Sequence, residues 1–298
     1  MCGIAGLFIK DHALEPELGR LIARMTSTLT GRGPDSAGFA IYGDDRPGFT
    51  KLTFSAPVGS DIGAIADRLV AALGNGATAR LRHTHAVVTL DAGDASRAET
   101  WLQDNAPETS VTSAGARLEI YKEVGHPDRV ADAFDIAGMS GSHAISHTRM
   151  ATESAVTTNG AHPFSTGADQ CLVHNGSLSN HASLRRRLRR EGIRIRTEND
   201  SEVAAGYLTA RMRDGETLRE ALQSSLADLD GFFTFVVGTE KGFSVLRDPI
   251  AVKPAVMAET ERYVAFASEF KSLAGLPGIS AARVWEPKPA TVYVWEHQ

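Results

Sequence analysis

Cysteine is scarce in this 298-residue sequence, which contains only Cys2 and Cys171. Two cysteines do not make a disulfide framework, and they are too few for the ligand clusters of an iron–sulfur centre. Cys171 lies in a short apolar stretch, so we expect it to be a buried core thiol. Cys2 is different because it directly follows the initiator methionine.

The sequence also lacks long apolar runs and an excess of positive charge. No run approaches the roughly 20 apolar residues of a membrane-spanning helix. The N-terminus has no basic segment followed by an apolar signal stretch and a cleavage site. The net charge of −5 gives no general attraction to nucleic acid or to an anionic membrane. We therefore expect a cytoplasmic protein that binds neither nucleic acid nor membrane.

The composition is otherwise ordinary for a globular protein, with 42% hydrophobic and 22% charged residues. Short apolar stretches typical of strands occur toward both ends, and patterns with helical spacing lie between them. This order favours an α+β protein in which helix layers enclose two sheets. Residues from about 44 to 140 differ in texture and contain no chemical motif. We interpret them as an α/β insert within one domain that spans 1–298.

The position of Cys2 gives it a potential base of its own. A small second residue permits removal of Met1, which would leave Cys2 with a free α-amino group. The pKa of such an amine lies near 8, so it can take the thiol proton directly or through a water molecule. A catalytic histidine is then not required. A cysteine at this position is weak evidence alone, so the hypothesis depends on the motifs that follow.

Several short motifs resemble those of class II glutamine amidotransferases, and they occur in the order found in that family. They are residues 2–6, 32–35, 146–152, 159–164, 174–180 and 199–202, and residues 247–249 and 267–269 near the C-terminus also resemble signatures of the family. The resemblance spans the chain except the insert. It implies an N-terminal-nucleophile (Ntn) hydrolase fold, which is a four-layer αββα sandwich, and an enzyme that releases ammonia from glutamine.

The resemblance also implies a role for each matched residue. Cys2 would be the nucleophile, and the Asn175 amide with the Gly176 N–H would form the oxyanion hole. Arg149 would pair with the substrate α-carboxylate, and Asp200 would hold its α-ammonium group. Further residues expected at the site are Thr152, which would line the pocket, and Arg32, Asp35 and His174, which would shape it.

Each of these residues also has a plainer interpretation. Arg149 could form a surface ion pair, Asp200 could be only an N-cap, and Asn-Gly at 175–176 is a common turn. His147, His162 and His174 suggest a metal site, but no carboxylate or cysteine stands at the usual ligand spacing. We therefore expect structural hydrogen bonds from these histidines and no metal.

Two departures from the family leave the shape of the pocket open. Several members have Trp and His where this chain has Met150 and Glu153. The thiol, the expected carboxylate clamp and the oxyanion donors are unaffected by these differences.

The expected activity leaves the fate of the ammonia to be explained. After Ser268 only 30 residues follow, in which we expect no acceptor site. The chain is then a subunit of a complex or a free-standing hydrolase of γ-glutamyl amides or peptides. Residues 14–16, 32–40 and 247–254 resemble the amidotransferase subunit of N-methylglutamate synthase. That resemblance implies a flavin and iron–sulfur synthase subunit and a β-helix-type subunit as partners, with no cofactor in this chain.

Two further hypotheses stay open at this stage. A non-catalytic assembly subunit could retain the fold without turnover, although the complete set of matched residues argues against it. The arginine-rich run at 185–190 fits a solvated helix face, then a partner-docking surface, and least of all a nucleic-acid site.

Overall fold

The computed structural model describes residues 2–74, 76–150 and 156–297. Within these ranges the chain forms seven α-helices. They are α1 (Leu18–Ser27), α2 (Ile62–Leu73), α3 (Ala95–Asn105), α4 (Pro127–Ala133), α5 (His181–Arg190), α6 (Asp200–Arg213) and α7 (Leu218–Asp228). No described helix is both long enough and apolar enough to cross a membrane.

The same ranges contain sixteen β-strands. They are β1 (Gly3–Ile9), β2 (Ser36–Tyr42), β3 (Phe49–Ser55), β4 (Thr78–Arg82), β5 (His85–Asp91), β6 (Ser110–Gly115), β7 (Leu118–Val124), β8 (His143–Arg149), β9 (Phe164–Gly167), β10 (Gln170–Leu178), β11 (Gly231–Thr239), β12 (Gly242–Arg247), β13 (Val256–Glu259), β14 (Tyr263–Ala267), β15 (Arg283–Trp285) and β16 (Tyr293–Glu296).

Two antiparallel sheets form the centre of the protein. The larger has the strand order β15-β13-β14-β1-β8-β2-β7, and the smaller has the order β16-β12-β11-β10-β9. Strand β1 shows why they stack. Its residues alternate, so that Ile4 and Phe8 face the apolar layer between the sheets while Leu7 and Ile9 face a helix layer. A strand buried on both faces must be covered on both sides.

Helix layers close the two outer faces. Helices α1 and α4 pack on the larger sheet around residues such as Leu21 and Val130. Helices α5, α6 and α7 pack on the smaller sheet around residues such as Leu188 and Leu222. Helix α7 begins at a capping box, in which Thr217 and Glu220 exchange side-chain and backbone hydrogen bonds. The structure therefore confirms the αββα architecture.

A third sheet lies outside the two central sheets and contacts them through β6, which packs beside β7 and β9. Its strand order is β4-β5-β3-β6, and with α2 and α3 it encloses a core of its own. The chain leaves the larger sheet at Tyr42 and returns at Leu118, and these two residues are paired neighbours. Strand β7 belongs to the larger sheet and α4 packs on it. The separate sheet thus occupies 49–115, a narrower range than the 44–140 of the prediction.

Candidate active site

A cleft of about 750 Å³ gathers most of the predicted site residues. Its volume lies within the range of small-molecule binding sites. Residues of both sheets and of the start of α6 line it. They include Cys2, Arg149, His174, Asn175, Gly176 and Asp200.

Cys2 is half-buried and carries a free thiol at the start of β1. The backbone there runs close to its neighbours, because a Cβ on Gly3 would lie 2.8 Å from the Thr148 Oγ1 and 2.9 Å from the Leu29 Cβ. The Cys2 carbonyl accepts hydrogen bonds from the Arg32 Nε, at 2.9 Å, and from the Asn175 Nδ2, at 3.3 Å. Two donors from opposite parts of the chain therefore fix the backbone of this residue.

Arg32 is buried and connects Cys2 to the end of β14. Its Nη1 lies 2.7 Å from the Glu269 Oε1. Hydrogen bonds from Lys271 and then from Arg32 lower the pKa of Glu269, so its carboxylate stays charged beside the guanidinium. Arg32 thus links the backbone of Cys2 to the carboxylate of Glu269.

Asp35 lies on the same loop and contacts the end of β8. Its backbone N–H donates to the Arg149 carbonyl at 3.1 Å, and its own carbonyl accepts from the Gly125 N–H at 2.8 Å. A Cβ on Gly33 would lie 2.6 Å from the Arg149 backbone, so only glycine lets the loop pass so closely. The loop therefore ties the cysteine to Arg149.

Arg149 is the last residue of β8 and is only 8% exposed. It is therefore not a surface residue, as the alternative interpretation would require. Its Nη1 donates to the Gly160 carbonyl at 3.2 Å. This contact directs the guanidinium toward Gly160, which also lines the cleft.

Asn175 and Gly176 lie inside β10 and not in a turn, so the turn interpretation is wrong. The reason for glycine is a close approach to the neighbouring strand. A Cβ on Gly176 would lie 2.0 Å from the Phe232 carbonyl oxygen and 2.7 Å from the His174 Nε2. No other residue fits this position without moving the backbone.

Asp200 begins α6, but the capping side chain is that of Asn199, whose Oδ1 accepts from the Ser201 N–H at 2.9 Å. The capping interpretation of Asp200 is therefore wrong. Its Oδ2 accepts from the Leu178 N–H at 2.9 Å. The helix N-terminus favours its negative charge. A carboxylate is thus held at the cleft beside β10.

Two of the three histidines near the cleft contact a hydroxyl, while His147 stacks on the His162 ring with 4.0 Å between centroids and has no hydrogen bond from either ring nitrogen within the described residues. The His162 Nε2 and the His174 Nδ1 lie 2.7 Å and 3.0 Å from the Ser201 Oγ. Burial lowers the pKa of His147 to about 3, and it also lowers the pKa values of His162 and His174. These rings are therefore neutral near pH 7. No group of three or more potential ligands in the described ranges is arranged to hold a metal ion.

Two positions named from the sequence fall outside the described residues, and a lysine that lines the cleft was not predicted. Thr152 and Glu153 fall outside the described residues, whereas Met150 lines the cleft. Lys253 also lines it, with its Nζ 5.1 Å from the centre of the Phe232 ring. The motif at 247–254 contained this lysine, but nothing in its spacing indicated a position in the cleft.

The αββα sandwich with a cysteine at the start of a central strand defines the class of N-terminal-nucleophile hydrolases. The solved glutamine PRPP amidotransferase from B. subtilis shares this fold, with a TM-score of 0.63, 18% identity and coverage of 99% of this chain. A structure described as the allosteric regulatory enzyme of purine biosynthesis has a TM-score of 0.65 at 19% identity, again over 99% of this chain. The chain spans about half of each of these two proteins, 47% in both cases.

Sequence similarity identifies the family within that class. The profile of the family described as "Glutamine amidotransferase domain" matches residues 147–275. The glutamine amidotransferase-like protein GlxB of Rhizobium meliloti is 58% identical over 298 residues, which cover 100% of this chain and 99% of the relative. The chain belongs to the class II glutamine amidotransferase family.

Proposed function

We propose that the protein hydrolyses glutamine through a thioester on Cys2 and supplies the ammonia to a partner enzyme. The observation that carries the first part is the convergence of Cys2, Arg149, Asn175 and Asp200 on one cleft. Glutamine needs a cation for its α-carboxylate, an anion for its α-ammonium group and donors for its amide oxygen. These four residues supply all three kinds of group.

The proposed reaction begins with the mature N-terminus. The α-amino group of Cys2 takes the thiol proton, and the thiolate attacks the side-chain amide carbon of glutamine. The Asn175 Nδ2 and the Gly176 N–H stabilise the oxyanion that develops. The protonated α-amino group then gives its proton to the leaving nitrogen, and ammonia departs. Water attacks the γ-glutamyl thioester, glutamate leaves, and the thiol is restored.

The Asn175 amide is already held beside the nucleophile. Its Nδ2 lies 3.3 Å from the Cys2 carbonyl oxygen, and its residue is 4% exposed. A donor that is fixed and dry before the substrate binds needs little reorganisation in the transition state. This supports the role of the amide as one half of the oxyanion hole.

Removal of the Cys2 thiol tests the catalytic proposal. We expect Cys2→Ala to abolish ammonia release from glutamine, measured with purified protein whose N-terminus is verified by mass spectrometry. Cys171→Ala is the matched control, since Cys171 is a fully buried core thiol that does not line the cleft. Full activity of Cys2→Ala would exclude the thioester. Absence of activity in the mature wild type, alone and with its partners, would leave the assembly-subunit hypothesis.

The partner part of the proposal rests on the motifs at 14–16, 32–40 and 247–254. They support a complex of the N-methylglutamate synthase type, in which a flavin and iron–sulfur subunit and a β-helix-type subunit accompany this chain and hold the redox cofactors. Co-purification from the native host, followed by mass spectrometry, tests it. Suppose that the chain is recovered alone and that it hydrolyses γ-glutamyl amides as fast as it hydrolyses glutamine. That result would favour the free-standing hydrolase instead.

A further inference from the structure

Lys122 is a buried lysine with no part in the proposed reaction. It lies on β7 and is 5% exposed. Its Nζ is 2.8 Å from the carbonyl oxygen of Ala161 and 3.3 Å from those of Asn159 and Pro163. An ammonium group has three N–H donors, so these three carbonyls match it in number. The Phe164 ring, 4.6 Å away, covers another side.

The charge environment of Lys122 includes groups from several elements. Burial lowers the pKa of Lys122 to about 7, Glu202 on α6 opposes this effect, and Arg196 adds to it. Burial of a charged lysine costs free energy unless its N–H donors are paired, and here the carbonyls of the alternate residues Asn159, Ala161 and Pro163 accept from it.

All three belong to one segment, residues 157–163, which we call the 157–163 loop. Other contacts fix the same loop. The Thr158 hydroxyl donates to the Glu123 carboxylate, and the His162 Nε2 contacts the Ser201 Oγ at 2.7 Å. The loop also presses on β2, because a Cβ on Gly38 would lie 2.0 Å from the His162 carbonyl oxygen. The 157–163 loop is therefore held from the sheet side and from α6.

The middle of this loop contacts the expected carboxylate clamp. The Gly160 carbonyl accepts from the Arg149 Nη1 at 3.2 Å and lies 3.5 Å from the Asn199 Nδ2. Gly160 sits between Asn159 and Ala161, whose carbonyls both bind Lys122. A shift of the loop would therefore move the acceptor that directs the guanidinium.

We propose that Lys122 is a positioning residue that sets the affinity for the α-carboxylate of glutamine, acting through the 157–163 loop on Arg149. The inference rests on the proposed function, because it assumes that Arg149 binds that carboxylate. Lys122 itself does not line the cleft and does not touch the reacting atoms.

Steady-state kinetics of Lys122→Met test the proposal. We expect KM for glutamine to rise about tenfold or more while kcat changes less than about threefold, because the loss concerns binding and not the chemical step. Lys51→Met is the matched control. Lys51 is paired with Glu119 at the separate sheet, away from the cleft, so its loss leaves KM unchanged. A folded Lys122→Met protein with the KM of the wild type would overturn the proposal.

A double-mutant cycle separates positioning from a general structural effect. In an Arg149→Ala background, Lys122→Met should cost no further glutamine affinity, because the group it positions is gone. Binding is measured by calorimetry in Cys2→Ala protein, with glutamine and with 4-aminobutanamide, which lacks the α-carboxylate. The affinity for 4-aminobutanamide should not change in Lys122→Met. Equal losses for both ligands, or in both backgrounds, would contradict the proposal.

Two further outcomes are kept distinct by the design. If Cys2→Ala with Lys122 intact binds no glutamine, the proposed function fails and the inference fails with it, whereas normal glutamine binding in that protein with an unchanged KM in Lys122→Met overturns the inference alone. If Lys122→Met does not fold, Gly160→Ala tests the same link, since its Cβ would lie 3.2 Å from the Arg149 Nη1. We expect a rise in KM of similar size, and an unchanged KM would exclude control of the clamp by the loop.

Discussion

At the scale of single residues, the site separates into groups that would contact substrate and groups that hold them. The sequence motifs identified both sets without distinguishing them. Arg32 appeared to shape a loop, and the structure places it on the Cys2 carbonyl. Asp200 looked like a cap because Asp is common there, but Asn199 performs that function. Which of two adjacent polar residues caps a helix depends on backbone angles that the residue types do not determine.

Lys122 could not be found from the sequence for a related reason. It belongs to no recognisable motif, and its partners are backbone carbonyls nearly forty residues later, from Asn159 to Pro163. Backbone groups leave no sequence signal. By contrast, Cys2, Arg149 and Asn175 were expected at one site because each lies in a motif that resembles a known family, and the structure places all three on the same cleft.

Asn175→Ala should lower kcat for ammonia release by about 100- to 1000-fold with a smaller change in KM, since an oxyanion donor acts mainly in the transition state. Asn180→Ala is the matched control from the same motif. The Asn180 side chain binds the Asp228 carbonyl and the Asp230 N–H, outside the cleft lining. We expect that variant to be less stable but to keep kcat. A normal kcat for Asn175→Ala would remove this amide from the oxyanion hole.

At the scale of elements, the long amphipathic helices and apolar strands were predictable, while the polar strands were not. Strand β4 is Thr-Ala-Arg-Leu-Arg and mostly exposed, and β6 is Ser-Val-Thr-Ser-Ala-Gly. Neither shows the apolar alternation on which a strand prediction depends. They form because β3 and β5 offer unpaired edges, which is a tertiary and not a local effect.

The arginine-rich helix α5 is not uniformly a solvated face. Arg185 is buried, forms an ion pair with Glu198 and donates to the Glu198 carbonyl at 2.6 Å, whereas Arg186 is exposed. Thr197, Glu198 and Asn199 line the cleft just before α6. One arginine of the run therefore fastens a wall of the site.

Arg185→Ala should destabilise the protein by about 0.5–1.5 kcal/mol, because Arg185 is buried but the Glu198 carboxylate is 81% exposed and its ion pair is screened by solvent. It should also raise KM for glutamine, because the segment before Asp200 loses its support. Arg186→Ala, on the exposed side of the same helix, should change neither property. Urea unfolding and steady-state kinetics measure both. Equal behaviour of the two variants would show that Arg185 is only part of a solvated face.

At the scale of the whole molecule, stability should depend on pH through buried histidines. Burial lowers the pKa values of His85, His143 and His147 to about 3, while the unfolded chain has values near 6.5. Between about pH 3 and pH 6.5 the unfolded state therefore binds more protons than the folded state. The contribution of these histidines to the free energy of unfolding is fully present above about pH 6.5 and is lost progressively as the pH falls. Each such histidine contributes a slope of about 1.4 kcal/mol per pH unit.

We expect the free energy of unfolding, measured with urea, to decrease steadily from pH 7 to pH 5. His143→Gln should lower the slope of this free energy against pH by about 1.4 kcal/mol per pH unit, the contribution of one buried histidine. His12→Gln should leave it unchanged, because the His12 side chain is 82% exposed. A free energy that is constant over this range would show that the buried rings are protonated without cost.

The placement of the separate sheet has a consequence for how such an enzyme can change. Tyr42 and Leu118 are paired neighbours, so the two ends of the excursion are already adjacent. The cleft lies by the other end of β2, where Ser36 pairs with Arg149. A tight hairpin could therefore join β2 to β7, although Thr84 of the insert donates to Glu123, the carboxylate that also holds the 157–163 loop. The unit is therefore an insertion that could be exchanged only if its contacts with the sandwich were replaced. These include Thr84 with Glu123, Ala114 with Asp169, and Arg196 with Val111.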